Sequence, residues 1–266
     1  MTSTIALIAG TRPEAIKMAP VYFALSRSKH FKPILVATAQ HRQMLDNTLS
    51  AFGITPDVDL DLMQMGQTLP HLTARVLQAT SAWFAKEKPT AVLVQGDTTS
   101  VLGAALAAFY EHVPIGHIEA GLRTGNIHSP FPEEMNRKLT SSLCRWHFCP
   151  TLPSRNNLYS ESITQNVYVT GNTVVDALLW MCRRLEEEGC DLAWIIDRCR
   201  IDRDFAEEFM SERGEWLLVT GHRRESFGAG FEAICEGLTR IAEAYPNVGI
   251  LYPVHLNPRV REVVFQ

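Results

Sequence analysis

Short apolar runs alternate with longer amphipathic stretches along this chain. The short runs have the length of strands and are rich in β-branched residues, which predicts β-strands. They are Ile5–Ala9, Ile34–Ala39, Ala91–Gln95, Ile115–Glu119, Trp146–Cys149, Val167–Thr170, Trp216–Thr220 and Gly249–Tyr252. Helical patterns between them include Glu14–Ser28, Leu69–Lys86, Ser100–Glu111, Glu133–Leu143 and Phe231–Tyr245. Strands separated by helices of this length predict βαβ units, a parallel sheet and the α/β class.

A domain boundary is predicted near residue 170, where the segment VYVTGN leads from a strand into a helix beginning near Val174. Residues 1–170 contain enough strands for an N-terminal Rossmann-like domain. Residues 171–266 contain only two or three, which leaves a long unpaired edge for a Rossmann-like unit. We therefore expect the second domain to be small or incomplete in this chain.

The composition is that of an ordinary globular protein, with 46% hydrophobic and 20% charged residues. A net charge of −4 argues against a nucleic acid or an anionic membrane surface as the main partner. The six cysteines form no CxxC pair and fit a reducing compartment. The N-terminal run predicts a strand rather than a signal peptide, and no apolar run has the length of a membrane helix. These features predict a cytoplasmic protein.

Charged residues follow several predicted strands. Ligands of open parallel sheets bind beyond the carboxyl ends of the strands, so these positions are candidates for a functional site. They are Arg12 and Lys17 after the first strand, Asp97 after the Ala91 strand, Glu119 in the Ile115 strand, and His222 and Arg223 after the Trp216 strand. The adjacent cations of the last group suit a phosphate.

Structural explanations remain open for these residues. Asp97 is a candidate N-cap of the helix predicted from Ser100. His117 alternates with Glu119 along a strand, and a histidine on such a face is often a core residue. Arg12 could be a surface charge, although it lies beside a helix N-terminus suited to anions. A carboxylate buried near a strand end is costly, which favours a function for Glu119.

The segment SPFPEEMNR, residues 129–137, places two carboxylates directly after two prolines. Proline in the first turn and acidic residues near the positive end of a helix are both typical of a helix start. Glu133 and Glu134 therefore have two open interpretations, a helix start or proton transfer.

Several common site motifs are absent from the sequence. It contains no P-loop, no HExxH metal motif and no GxSxG nucleophile elbow. The segment FGAGF is a weak dinucleotide signal because it lacks a third glycine. Carboxylates opposed by Arg, Lys and His remain, with no evident cofactor. Such a set suits proton transfer beside a departing or attacking phosphate.

The chain contains, in this order, GTRPEAIKMAPV, QHRQMLD, VQGDTTSVLGAALAAFY, HIEAGLRTGN, SPFPEEMNR, VTGHRRESFG and YPVHLNPRVRE. Together these motifs resemble the bacterial non-hydrolysing UDP-N-acetylglucosamine 2-epimerases, from about Ile5 to the C-terminal end. The resemblance implies two Rossmann-like domains facing a cleft, the glycosyltransferase-B type. It also implies a homodimer without NAD or metal that interconverts UDP-GlcNAc and UDP-ManNAc for surface polysaccharide synthesis.

The resemblance also implies roles for individual residues. The family eliminates UDP across C1 and C2 of the sugar to give a 2-acetamidoglucal, then adds UDP back with protonation on the other face. The implied catalytic residues are Asp97, Glu119 and Glu133 for proton handling and His222 for the phosphate. The implied substrate-binding residues are Arg12, Lys17, Arg137, Asn172 and Arg223.

A regulatory site for a second UDP-GlcNAc molecule occurs in some family members. By resemblance, its candidate residues here are Gln40, His41, Gln43 and Glu134. Gly66 stands where some members have Arg, directly before Gln-Thr-Leu.

Family members also continue through further strands and a phosphate-binding loop that this chain does not contain. The resemblance therefore leaves alternatives open for the chain. They are a UDP-sugar glycosyltransferase, a hydrolysing 2-epimerase, and an inactive fragment that binds UDP-sugar.

Overall fold

The computed structural model describes residues 2–38, 42–62, 64, 66–220, 229–254 and 258–265. Its contacts divide the chain into two compact units, Met1–Arg184 and Leu185–Gln266. Helix α7 (Thr173–Glu187) begins in the first unit, where Ala177 and Trp180 pack into the core. The division therefore falls within the last turn of α7, about 15 residues after the boundary predicted at residue 170.

The first unit contains a parallel sheet with the strand order β3-β2-β1-β4-β5-β6-β7. Its strands are β1 Ser3–Ala9, β2 Phe31–Ala37, β3 Val58–Asp59, β4 Ala91–Gln95, β5 Ile115–Ile118, β6 Trp146–Cys149 and β7 Val167–Val169. Before α7 come the helices α1 Arg12–Ser26, α2 Arg42–Ala51, α3 Leu69–Glu87, α4 Thr99–Tyr110, α5 Glu133–Leu143 and α6 Leu152–Ser160. The predicted parallel sheet and α/β class are confirmed.

Helices cover both faces of the sheet, which is why its strands are apolar on both sides. In β1, Ala6 and Ile8 pack with α3 and α4, whereas Leu7 and Ala9 pack with α1, α2 and α7. Leu7 and Ile8 are 0% and 1% exposed. Burying such a side chain contributes about 1.5–3 kcal/mol, so the two layers fix the strand ends that carry the site.

The second unit has a smaller parallel pair of strands, β8 Glu215–Leu218 and β9 Val248–Leu251. Its helices are α8 Leu192–Cys199, α9 Arg203–Phe209, α10 Ala229–Ala244 and α11 Pro258–Val264. Both strands agree with the predicted ones to within two residues. Gly249 lets β9 approach α9, since a Cβ there would lie 2.6 Å from the Phe209 side chain.

Across the described parts of both units, none of the helices is long and apolar enough to cross a membrane.

Candidate active site

The site lies at the carboxyl edge of the large sheet, where the strand order reverses between β1 and β4. Ligands of doubly wound sheets bind at such a switch point. The chain turns tightly there at Gly10. A Cβ at Gly10 would lie 2.3 Å from Oγ1 of Thr38 and 2.9 Å from Oγ of Ser100. The absence of a side chain therefore lets the ends of β1, β2 and α4 meet.

Glu14 fills the space beside the N-terminus of α1. Its Oε2 accepts hydrogen bonds from the backbone N–H groups of Gly10 (2.5 Å) and Thr11 (3.0 Å), and its Oε1 accepts one from the Thr98 hydroxyl (2.5 Å). The predicted anion position at this helix end thus already holds a carboxylate of the chain itself. Sequence reasoning missed Glu14, although its spacing from Thr11 is that of a capping box.

Burial raises the pKa of Glu14 to about 6 from its ordinary value of 4.5, against the lowering effect of its hydrogen bonds with Thr98, Gly10 and Thr11. Its proton is therefore held more tightly in the folded than in the unfolded chain. The stability that comes from this proton is complete below pH 4.5 and is lost as the pH rises through 6. Above that pH the ionised carboxylate costs about 2 kcal/mol.

A Glu14→Gln variant should reveal this cost. Gln is neutral and can still accept from both N–H groups while donating to the Thr98 hydroxyl. Between pH 7.5 and pH 4.5, we expect the wild-type chain to gain about 2 kcal/mol of unfolding free energy relative to the variant. Urea unfolding of both proteins at the two pH values measures this change, and a pH-independent difference would contradict it.

Asp97 follows β4 and forms an ion pair with Arg137 of α5. Its backbone carbonyl accepts a hydrogen bond from Nδ2 of Asn136 (2.9 Å). Burial raises the pKa of Asp97, Arg137 opposes this, and the charges of Glu133 and Glu119 add to it.

The alternative that Asp97 caps helix α4 is wrong. Thr98 is the N-cap residue, and its hydroxyl accepts a hydrogen bond from the Val101 N–H (3.3 Å). The Asp97 side chain is therefore available for the ion pair with Arg137.

Glu119 lies one residue beyond the end of β5, in a left-handed conformation with φ +66°. Its carboxylate accepts hydrogen bonds from Lys17 (2.6 Å to each oxygen), Gln95 (2.5 Å) and Asn172 (3.0 Å). This positive φ is uncommon for a residue with a side chain and strains the backbone. Three donors from distant segments hold it there, which joins the predicted residues Lys17, Glu119 and Asn172 in one cluster.

His117 is a core residue rather than a neighbour of Glu119 on one strand face. It is 0% exposed, and its Nε2 lies 2.7 Å from the Gly96 carbonyl oxygen. Burial lowers the pKa of His117 to about 4. The expected alternation fails because β5 ends at Ile118 and the backbone turns at Glu119.

The two adjacent glutamates of α5 differ in their surroundings. Glu134 is 0% exposed, and its carboxylate accepts hydrogen bonds from the N–H groups of Thr124 (3.1 Å) and Gly125 (3.2 Å) and pairs with Arg137 (3.3 Å). Its burial favours a structural role over direct contact with an effector. Glu133 is only half-buried, and its charge acts on Asp97.

The remaining predicted residues are placed as follows. Arg12 is exposed at the first position of α1, on the rim of a largely apolar cavity of about 490 Å³ between α1, α2 and α7. His222, Arg223, Gln40 and His41 lie outside the described residues, as does the side chain of Gln43.

Topology and site together define an α/β protein of the Rossmann type, with carboxylates and cations gathered at its ligand edge. The model of the UDP-N-acetylglucosamine 2-epimerase family matches residues 23–266. The chain belongs to this family, and the predicted resemblance is confirmed.

The relatives are similar along most of this chain. A UDP-N-acetylglucosamine 2-epimerase of Salmonella typhimurium is 50% identical over 258 residues, which are 96% of this chain and 66% of that protein. The Neisseria meningitidis UDP-GlcNAc 2-epimerase, whose crystal structure holds UDP-GlcNAc, is 42% identical with a TM-score of 0.82; the match covers 98% of this chain and 68% of that one. This likeness confirms the predicted fold class.

A more distant structure belongs to the same enzyme of Methanocaldococcus jannaschii, in complex with UDP-GlcNAc and UDP. It is 30% identical with a TM-score of 0.74, over 98% of this chain and 69% of that one. The chain thus spans about two thirds of the length of the proteins that it matches.

Proposed function

We propose that this protein is a non-hydrolysing UDP-N-acetylglucosamine 2-epimerase that interconverts UDP-GlcNAc and UDP-ManNAc. The observation that carries the proposal is the meeting of three carboxylates at one switch point. The charges of Glu119 and Glu133 both act on Asp97 there, while Lys17 and Arg137 supply positive charge. The family membership of the chain supports the same substrate.

The reaction requires both proton transfer and stabilisation of a leaving group. A base removes the proton at C2, the electron pair of that bond forms the C1–C2 double bond, and the C1–O bond to UDP breaks. UDP then adds back to C1 while an acid delivers a proton to C2 from the opposite face. Two faces need two separate proton carriers, and the departing diphosphate needs cations.

The proposed roles follow the charges of the site. Asp97, Glu119 and Glu133 handle the protons or support the residue that does. Lys17 stabilises the UDP phosphates while it holds Glu119 in place, and Arg137 faces Asp97. The roles predicted for Arg12, Asn172, His222 and Arg223 in binding the nucleotide sugar are part of the same proposal.

We further propose that the protein forms a homodimer in the cytoplasm and supplies UDP-ManNAc for surface polysaccharide synthesis. The six cysteines support the compartment, since none of them forms a disulfide. No NAD or metal enters the proposed chemistry. Regulation by a second UDP-GlcNAc through Gln40, His41 and Gln43 remains a prediction from the sequence.

The test is the reaction in heavy water with UDP-GlcNAc as the sole substrate. We expect deuterium at C2 of both UDP-GlcNAc and UDP-ManNAc, detected by mass spectrometry and proton NMR. Interconversion without deuterium at C2 would contradict the elimination route. Release of free ManNAc with UDP would indicate a hydrolysing enzyme, and turnover that needs a sugar acceptor would indicate a transferase.

A further inference from the structure

Asp97 and Glu134 share one guanidinium group. Arg137 donates from Nη2 to Oδ2 of Asp97, and its Nη1 lies 3.3 Å from Oε2 of Glu134. The side chains of Arg137 and Glu134 are 12% and 0% exposed, so solvent screens this interaction weakly. The positive charge that faces Asp97 is therefore divided between two carboxylates.

A second set of contacts holds Glu134 in place independently of Arg137. The backbone N–H groups of Thr124 and Gly125 donate to its carboxylate at 3.1 and 3.2 Å. These residues belong to the loop that follows Glu119. Glu134 thus connects the β5 loop to the arginine that faces the β4 loop.

Charged groups on α5, at the end of β5 and on α1 act on Asp97, which follows β4. Arg137 and Glu133 face it from α5, Glu119 from the end of β5, and Glu14 from α1. Burial raises the pKa of Asp97 and Arg137 lowers it. A residue that exchanges protons works best when its pKa lies near the working pH, and an arginine with an undivided charge would keep Asp97 ionised.

We propose that Glu134 is a positioning residue for Asp97: it holds one arm of the Arg137 guanidinium, divides its charge, and so preserves the capacity of Asp97 to take up and release a proton. The importance of that capacity rests on the proposed function. The coupling between Glu134, Arg137 and Asp97 does not.

The test compares the titration of Asp97 in the wild-type chain and in Glu134→Gln. The Asp97 carboxyl carbon is followed by ¹³C NMR and assigned with Asp97→Asn. A glutamine carbonyl can still accept from both loop N–H groups, but the negative charge is gone. We expect the titration midpoint of Asp97 to fall by about one pH unit.

Glu161→Gln is the matched control. Glu161 accepts two hydrogen bonds of 2.9 and 2.7 Å from Arg123, whose side chain is 8% exposed, so this variant also removes a carboxylate partner from a largely buried arginine. Arg123 is not bonded to Asp97, and we expect the Asp97 midpoint to stay where it is in the wild type. A purely structural disturbance would not distinguish the two variants in this way.

An unchanged or higher Asp97 midpoint in Glu134→Gln would overturn the proposal. Should that variant fail to fold, Glu134→Asp withdraws the carboxylate from Arg137 while keeping the charge, and a smaller shift in the same direction is expected; its absence would equally overturn the proposal. In an active chain, the Asp97 limb of the pH–rate profile should move to lower pH with the midpoint. The NMR titration needs no catalysis, so an inactive wild-type chain would count against the proposed function alone.

Discussion

Replacing Glu133 by Gln is expected to lower kcat for epimerisation by about 10²–10⁴-fold, the usual effect of losing a general acid or base. Among the described residues, the Glu133 carboxylate has neither a hydrogen bond nor an ion pair, and its side chain is only half-buried. The carboxylate of its neighbour Glu134 already accepts a hydrogen bond from the Thr124 N–H and pairs with Arg137. Glu133 therefore has both the freedom to meet a sugar and a charge that acts on Asp97.

If Glu133 only helps to start its helix, Glu133→Gln should lower stability and leave activity unchanged. Asp176→Asn is the control that measures such a helix-start effect. Asp176 is an exposed carboxylate in the first turn of α7, and Glu133 likewise lies in the first turn of α5. Losing the interaction with the helix dipole should cost each variant about 0.3–1 kcal/mol of stability. Only Glu133→Gln should also lose activity. A normal kcat in a variant with this small loss of stability would return Glu133 to helix initiation.

The sheet could be predicted because parallel strands are covered on both faces and form continuous apolar runs. Such runs mark β1 and β4 clearly. Strand β3 escaped prediction because it has only two residues, Val58 and Asp59, within a stretch where apolar and acidic residues alternate. It is defined by its pairing with β2, which no local pattern records.

Grouping the site residues at one edge needed only the rule that parallel strands end together. The contacts among these residues could not be predicted from that rule. Glu14 meets Thr98 across 84 residues of sequence, and Glu119 meets Asn172 across 53. A sequence shows that a carboxylate is present, but its burial and its donors depend on which distant loops converge. Residue type alone therefore left Glu133 and Glu134 with the same two interpretations, and the fold shows that Glu134 is held by Thr124, Gly125 and Arg137.

The backbone of Glu119 marks a second limit of prediction. A strand pattern extends naturally through this residue, yet its φ is positive and the strand ends before it. Local propensity opposes this conformation, and contacts with Lys17, Gln95 and Asn172 maintain it. Strained residues of this kind cluster at functional sites, and the strain appears only in the folded chain.

The loop that carries Glu119 should be highly sensitive to Gly121→Ala. Gly121 has φ +83°, and a Cβ there would lie 2.1 Å from the backbone carbonyl oxygen of Ser154. The backbone of α6 cannot yield as a flexible side chain would. We expect the variant to lose about 2–5 kcal/mol of unfolding free energy, from the unfavourable φ together with overpacking. Because Glu119 lies two residues earlier, kcat should fall as well.

Gly125→Ala separates the effect of the unfavourable φ from that of overpacking. Gly125 has a similar φ of +77°, but nothing lies within 4 Å of its added Cβ. This control should lose only the conformational part, about 1–2 kcal/mol. Urea unfolding of the wild type and both variants measures the difference, which isolates the close approach of Gly121 to α6. Equal losses in the two variants would mean that the loop can move away from Ser154, and that Glu119 is held by Lys17, Gln95 and Asn172 rather than by its own backbone.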